Sequence, residues 1–259
     1  MIRILFFGDI FGRTGRSGVK KFLESKREII KPDLVVANCD NAASGRGPTL
    51  GVYEELLESG IDILTCGDHI WDQKEASTIL EGRSSKLVRP ANYPEGCPGR
   101  GLIEVEVKNT KVAIISALGR VWTTEGLDSP FKVVDELIKK TSAKVIFVDL
   151  HAEASSEKYA FGHYFAGRVS AIIGSHTHVQ TADETILDKK TAFISDAGFC
   201  GPSDSVIGVK KEQSIKRFTS GMPVVFEPGD GGPVVNGVVI DIDEKSGHAV
   251  GIERVSLVI

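Results

Sequence analysis

The chain has 259 residues, of which 41% are hydrophobic and 25% are charged, a balance typical of a folded protein with a large core. Its formal net charge of -4 excludes a surface built to neutralise many phosphates, so we expect no extended nucleic acid as a partner. The four cysteines form no CxxC pair and predict free thiols in a reducing, cytoplasmic compartment. The N-terminal apolar run is too short for a signal segment or a membrane span, so we expect no membrane partner.

The first half of the chain alternates apolar runs with amphipathic stretches. Continuous apolar runs predict strands at residues 2–7, 34–37 and 61–66. Helical spacing predicts a helix over 16–30, after a glycine turn at 12–15, and another around 52–57. A charged helix after Trp71 leads into a connection rich in proline. Strands and helices that alternate at this pitch favour a parallel or mixed sheet with helices on its faces.

The second half adds a hairpin and several antiparallel strands. Strands are predicted at residues 102–107, 112–117, 145–148, 171–173, 191–194, 223–226, 237–242 and 250–258. Helices are predicted over 130–140 and 153–165, a charge-rich loop after Gly198, and a turn at 229–232. No repeat or long linker divides the chain, so we predict a single domain over residues 1–259. Early helices and late antiparallel strands predict an α/β fold of two packed sheets with helices outside.

Polar side chains that bind metals follow five of the apolar runs. The carboxyl ends of parallel strands meet at one edge of a sheet, so these side chains are expected to gather there. Carboxylate, amide and imidazole groups without a thiolate cluster favour two divalent or trivalent first-row metal ions over structural zinc. Such a pair can clamp a phosphoryl group for in-line attack. The residues supplied by these strand ends are Asp9, Asp40, Asn41, Asp68, His69, His151, His176 and His178.

Each of these residues also has a structural interpretation when taken alone. Asp9 follows a strand, where aspartate often forms a turn, and Asp40 with Asn41 fits an Asx-turn. A lone His151 fits a core or a surface position. The five coincident strand ends, rather than any one residue, therefore favour the metal site. Glu153 and Asp196 are candidates to orient ligating histidines.

The same residues resemble the successive motifs of a known family. Asp9, the Asn-x-Asp-Asn run at 38–41, Gly67-Asp68-His69, His151 and Gly174-Ser175-His176-Thr177-His178 resemble the motifs of the calcineurin-like metallophosphoesterases. The similarity is greater to the YmdB-like bacterial cyclic-nucleotide phosphodiesterases and covers nearly the whole chain. It implies a metallophosphoesterase-type two-sheet β-sandwich flanked by helices, with αββα layers.

The resemblance also implies a role for each residue. Asp40 would bridge two metal ions. Asp9, Asn41 and His178 would complete the shell of the first ion, and Asp68, His151 and His176 that of the second. His69 would be catalytic rather than a ligand, stabilising charge at the phosphate and protonating the leaving oxygen. No substrate-binding residue is assigned.

Three positions bear on how close this resemblance is. The wider superfamily carries a histidine where Phe11 stands, and the YmdB-like branch lacks that histidine too. The branch usually carries glutamate where Asp40 stands and asparagine where Asp68 stands. The extra negative charge of Asp68 should favour tightly bound or more highly charged ions.

The resemblance implies hydrolysis of 2′,3′-cyclic or 3′,5′-cyclic nucleotides by a hydroxide that bridges the two metal ions, with iron or manganese as the expected metals. A phosphomonoesterase that acts on small molecules or proteins through the same centre is the nearest alternative. A regulatory module that binds metal and nucleotide with weak turnover is another. Assembly into a homo-oligomer is left open.

Overall fold

Two β-sheets lie face to face in the computed structural model, which describes residues 1–123 and 126–259. Its strands are β1 (Ile2–Phe7), β2 (Asp9–Ile10), β3 (Leu34–Asn38), β4 (Ile63–Thr65), β5 (Leu87–Val88), β6 (Leu102–Val107), β7 (Thr110–Leu118), β8 (Val145–His151), β9 (Ala171–Ser175), β10 (Thr185–Leu187), β11 (Thr191–Ile194), β12 (Phe199–Val209), β13 (Pro228–Ile242) and β14 (Ala249–Val258). Its helices are α1 (Gly12–Ile30), α2 (Leu50–Glu58), α3 (Ala76–Glu81), α4 (Pro130–Lys140), α5 (Ser155–Phe165) and α6 (Lys211–Ser220), with a 3-10 turn at Asp68–Trp71.

The strand order places the carboxyl ends of the central strands together. The first sheet has the order β2-β12-β13-β1-β3-β4-β5, with β14 beside β13, and the second has the order β10-β11-β9-β8-β7-β6. Strands β1, β3 and β4 are parallel, as are β7, β8 and β9. In each sheet the strands that precede the predicted site residues therefore end at one edge, as expected for a ligand site in an α/β fold.

Alternate residues of β1 explain why helices cover the outer face of the first sheet. Phe6 points between the sheets, where its ring centroid lies 5.3 Å from that of Phe147. Leu5 and Phe7 point the other way, and Phe7 makes an edge-on contact with Phe22 of α1 at 5.4 Å. A strand buried on both faces reads as a continuous apolar run, which is the pattern seen in the sequence. The predicted layering of helix, sheet, sheet and helix is confirmed.

Helix α1 begins earlier than predicted. The glycines at 12–15 predicted a turn, but the helix starts at Gly12. A Cβ at Gly15 would lie 2.1 Å from the carbonyl oxygen of Cys200, and one at Gly18 would lie 2.6 Å from Cβ of Pro233. The glycines therefore allow the first turns of α1 to approach β12 and β13 closely, which is a tertiary requirement rather than a turn signal.

The predictions for residues 199–232 were wrong. The charge-rich loop contains strand β12 and helix α6, and the strand predicted at 223–226 is an unpaired segment before β13. The glycine turn predicted at 229–232 lies inside β13. This strand pairs with β12, and the register of the pairing shifts along its length. Register shifts break the alternation that marks a strand, and α6 buries only Ser214, so neither element has a clear periodicity.

No helix formed by the described residues combines the length and apolar character that a bilayer crossing needs.

Candidate metal centre

The predicted site residues lie where the two sheets meet at their carboxyl edge. Asp9 comes two residues after the end of β1, and Asp40 comes two residues after β3. His151 is the last residue of β8, and His176 directly follows β9. The first pair belongs to one sheet and the second pair to the other, so the candidate centre depends on both sheets. Each of the seven residues predicted as ligands has a polar side-chain atom within 4 Å of one on another of the seven, and these contacts link all of them into one cluster. The residues are Asp9, Asp40, Asn41, Asp68, His151, His176 and His178.

One group of these residues surrounds His151. Its Nε2 lies 3.2 Å from Oδ1 of Asp68, 3.4 Å from Oδ2 of Asp40 and 3.0 Å from Nδ1 of His176. The ligand atoms of Asp68, His151 and His176 all lie within 4.8 Å of one another. Three ligand atoms at this spacing can surround one cation.

A second group surrounds His178. Its Nε2 lies 3.0 Å from Oδ1 of Asn41 and 3.8 Å from Oδ1 of Asp9. The same oxygen of Asp9 lies 3.5 Å from Nδ1 of His151, so the two groups are neighbours. The ring of His178 is held flat against Phe199, with ring centroids 5.4 Å apart and planes 4° from parallel.

Two buried carboxylate oxygens in this cluster have no hydrogen-bond donor among the described residues. They are Oδ1 of Asp9 and Oδ2 of Asp40, and both residues are fully buried. The other oxygen of each is fixed: Oδ2 of Asp9 accepts from the backbone N–H of His176, and Oδ1 of Asp40 accepts from that of Gly67 at 2.7 Å. A buried carboxylate oxygen without a donor is costly unless a cation is near it. The residues present therefore fit metal ions.

Cys66 and Gly67 support Asp40 rather than acting as ligands. The thiol of Cys66 donates to Oδ1 of Asp40 at 3.1 Å, and burial raises the pKa of this thiol well above its usual value. A protonated thiol is a donor and not a metal ligand. A Cβ at Gly67 would lie 2.2 Å from the ring of His151, so this position admits only glycine.

A buried hydrogen-bond chain fixes the orientation of His151. The hydroxyl of Ser175 donates to Oδ1 of Asp149 at 2.6 Å, and its oxygen lies 3.0 Å from Nδ1 of His151. Asp149 also accepts from Asn38 and Thr65. Because the single hydroxyl hydrogen of Ser175 is used on Asp149, its oxygen accepts from Nδ1–H of His151. That leaves the lone pair of Nε2 directed at Asp40 and Asp68, where a metal would bind.

Replacing Ser175 with alanine is therefore expected to weaken metal binding. The variant removes the acceptor that holds Nδ1–H of His151, and losses of this kind cost about 10-fold to 100-fold in metal affinity. Metal dissociation constants measured by competition with a chelating dye test this. Ser170→Ala is the matched control, because Ser170 is a buried serine just before β9 that donates to Gly247 far from the centre. Equal metal affinity in the Ser175→Ala variant and the control would contradict the assigned chain.

Metal affinity is also expected to fall as the pH is lowered. Burial lowers the pKa of His151, but the carboxylates of Asp40, Asp68 and Asp9 outweigh burial and hold this pKa well above its usual range. The pKa of the Asp9 carboxyl group is also raised, to about 6, and here burial is the cause. Both groups must lose a proton to bind a metal, so binding releases protons and strengthens as the pH rises. Calorimetric titrations in buffers of different ionisation enthalpy measure this release. An affinity independent of pH between about 6 and about 8 would contradict it.

The loop that carries His176 and His178 is held by a buried ion pair. Both histidines have positive φ, 98° and 63°, which is a strained conformation for residues with a side chain. Asp196 accepts from the backbone N–H of Thr177 between them, at 3.0 Å, and from its hydroxyl at 2.8 Å. Nζ of Lys158 lies 2.7 Å from the same carboxylate oxygen, and each of the two side chains is 2% exposed. Asp196 therefore fixes the backbone of the loop and does not contact either histidine ring through these bonds. Glu153 contacts the ring of His176 directly, with Oε2 3.1 Å from Nε2.

His69 lies at the solvent edge of the centre. Its Nδ1 is 2.9 Å from Oδ2 of Asp72, and its side chain is 33% exposed. A ligand atom of His69 also lies within 4.8 Å of ligand atoms of Asp40 and Asp68, so the imidazole is within reach of a group bound at the centre. The contact with Asp72 leaves Nε2 free to serve as a proton donor.

Several supporting residues were not predicted from the sequence. Asp149 lies two residues before His151 in β8, on the same face of the strand, and this spacing could have indicated it. Asp72 lies three residues after His69, a spacing typical of contacts within a helical turn. Nothing in the sequence indicates that Lys158 is buried, because a lysine in a helical pattern normally faces solvent.

Comparisons with known proteins place the chain in a family. The family described as YmdB-like protein matches residues 5–255. The 2′,3′-cyclic-nucleotide 2′-phosphodiesterase of Bacillus subtilis (strain 168) is 45% identical over 256 residues, which cover 98% of this chain and 96% of that protein. The crystal structure of a novel phosphatase from Mycoplasma pneumoniae has a TM-score of 0.94 at 37% identity, covering 99% of this chain and 93% of that chain.

A more distant structure shows the fold alone. The 5′-nucleotidase precursor of Thermus thermophilus is 16% identical and has a TM-score of 0.56, covering 100% of this chain and 54% of that chain. The predicted metallophosphoesterase fold is confirmed, and so is the prediction of a phosphoester hydrolase. With a family match over residues 5–255 and a relative 45% identical along almost its whole length, the chain belongs to the YmdB-like protein family.

Proposed function

We propose that the protein is a binuclear metal-dependent phosphodiesterase that hydrolyses cyclic nucleotides. The observation that carries the proposal is the pair of buried, donorless oxygens on Asp9 and Asp40, within the described residues, beside the imidazoles of His178 and His151. The name of the Bacillus relative favours 2′,3′-cyclic over 3′,5′-cyclic nucleotides as substrates. Carboxylate, amide and imidazole ligands suit iron or manganese.

The two groups of contacts support the assignment of ligands. The group around His178 contains Asp9 and Asn41, and the group around His151 contains Asp68 and His176. We propose Asp40 as the bridge between the two ions; its oxygen without a donor among the described residues lies 3.4 Å from Nε2 of His151, in the second group. Metal ions bound there would supply positive charge for in-line attack of water on phosphorus.

His69 would act on the leaving group. The carboxylate of Asp72 accepts from Nδ1–H and orients the ring, so that the Nε2 proton can pass to the ribose oxygen as the bond to phosphorus breaks. For a 2′,3′-cyclic nucleotide this oxygen is O2′ in our proposal, and the product is a 3′-monophosphate. The one-third exposure of His69 allows its proton to be restored from solvent.

A panel of four phosphate esters tests the substrate class. We expect turnover of 2′,3′-cyclic AMP and bis(4-nitrophenyl) phosphate, with little turnover of 4-nitrophenyl phosphate, and 3′,5′-cyclic AMP measured alongside. Chelation should abolish activity, and added manganese or ferrous ions should restore it. The name of the Mycoplasma structure favours a phosphomonoesterase as the second candidate. Turnover of the monoester alone would establish that alternative and reject ours.

The Asp68→Asn variant is expected to keep both metal ions and to turn over at least as fast as the native protein. Oδ1 at this position contacts His151 at 3.2 Å, and an asparagine oxygen can take its place. Removing one negative charge weakens the local attraction to the ions, but it would also leave more of their positive charge to stabilise the phosphate during attack, so the chemical step is no slower. Elemental analysis and steady-state kinetics measure the two effects. Glu24→Gln, on the exposed face of α1, controls for net charge, and loss of metal from Asp68→Asn would contradict the expectation.

A further inference from the structure

A large cavity opens beside the candidate metal centre. It has a volume of about 690 Å³, and Asn41, His69 and His178 form its inner side. A smaller cavity of about 290 Å³ is lined by the same three residues and also by His176 and Glu153. Both volumes lie in or near the range of small-molecule sites in proteins. The two cavities therefore border each other at these shared residues, and a ligand that spans this border has its phosphate in the smaller cavity and its other end in the larger one.

The outer wall of the large cavity is apolar and exposed. It is formed by Phe218 of α6 and by Val225 and Phe226 of the unpaired segment before β13, which are 85%, 84% and 49% exposed. Ile207 of β12 adds to it at 49% exposure and borders both cavities. Apolar side chains gathered at one place on a surface indicate a binding site, because covering them removes apolar area from water.

The cavity also offers a small number of polar groups. Ser44, Arg46 and Glu227 line it together with the apolar wall. Arg46 is largely exposed, and its guanidinium lies 4.0 Å from Asp72, the partner of His69. A heteroaromatic base requires apolar surfaces against the faces of its ring and polar groups at its edges.

We propose that this cavity binds the base of a nucleotide substrate, with Phe218 and Phe226 as the residues that determine preference for a base. The inference rests on the proposed function, because it places the phosphate in the smaller cavity at the metal centre. In a cyclic nucleotide the base and the phosphate are separated by the ribose ring. A ligand held by its phosphate therefore projects its base past His69 and His178 into the larger cavity.

The test compares two cyclic phosphates that differ only in the base. We expect the native protein to have a higher kcat/KM for 2′,3′-cyclic AMP than for methyl riboside 2′,3′-cyclic phosphate. Phe218→Ala and Phe226→Ala should each reduce this preference by about tenfold, mainly through KM, because losing an aromatic contact to a base has an effect of this order. Phe226→Tyr keeps the ring and should keep the preference. Ile29→Ala, an exposed apolar residue of α1 that does not line the cavity, is the matched control.

The outcomes separate this inference from the proposed function. An equal loss on both substrates, an unchanged preference, or no preference in the native protein would overturn the base site. So would a change of oligomeric state on sedimentation with the preference unchanged, since the wall would then be an interface between copies. If neither cyclic ester is hydrolysed, the proposed function fails. Calorimetry then tests the base site alone, by comparing the affinity of the protein for adenosine 3′-phosphate with its affinity for ribose 3-phosphate. Equal affinities would overturn the base site.

Discussion

Replacing His69 with alanine is expected to lower kcat by about 10²-fold to 10⁴-fold, the range typical of a lost general acid, while the number of bound metal ions per chain stays the same. The physical reason is the position of the imidazole. It is paired with Asp72 through Nδ1, one-third exposed, and it lines the cavity proposed to hold the phosphate. The rate measured under substrate saturation and elemental analysis of the same preparation give the two quantities.

The metal content decides how the His69→Ala result is interpreted. Ligand atoms of His69, Asp40 and Asp68 lie within 4.8 Å of one another, so His69 could also be a ligand. Loss of metal together with activity would make it one and would contradict its role as a proton donor. His163→Ala is the matched control, because His163 is an exposed histidine of α5 outside the centre.

Replacing Lys158 with methionine is expected to destabilise the fold by about 3–5 kcal/mol and to strip metal from the centre. The variant leaves the carboxylate of Asp196 buried without its cation, which costs far more than removing an exposed charge. Asp196 holds the backbone of Thr177, so an Asp196 side chain without its ion pair should hold the strained loop that carries His176 and His178 less firmly. Urea denaturation with and without saturating metal measures the loss of stability and the loss of binding separately.

Lys20→Met is the matched control for the buried lysine. Lys20 is exposed on α1, and its replacement should change the free energy of unfolding by less than about 0.5 kcal/mol. If Lys158→Met unfolds at the same urea concentration as this control and holds metal equally well, the pair does not position the loop.

The geometry of the sheets explains why so much of the centre could be predicted from the sequence. Asp9, His151 and His176 each follow an apolar run, and parallel strands bring such ends to one edge without any knowledge of side-chain contacts. The resemblance then divided the residues into two groups. The structure places Asn41 and His178 in one group and Asp68 and His176 in the other. The roles of these residues stay predictions for the experiments above.

The supporting contacts and the outer wall could not be predicted in the same way. Ser175 meets His151 only because strands β8 and β9 lie side by side, and sequence spacing does not encode that contact. Phe218 and Phe226 belong to the region 199–232, where register shifts in β12 and the exposure of α6 remove the usual periodicities. The local rules for strands and helices therefore predicted where the candidate ligands gather but not the cavity beside them.

The joint between the two sheets has a consequence for folding kinetics. Asn38 contacts Asp149 across 111 residues of chain, and Asp9 contacts the backbone of His176 across 167. Contacts so distant in sequence form after the local helices and hairpins, because closing such long loops is entropically slow. We therefore expect a metal ion to bind only after the two sheets have associated. Saturating metal should then leave the refolding rate nearly unchanged and slow unfolding.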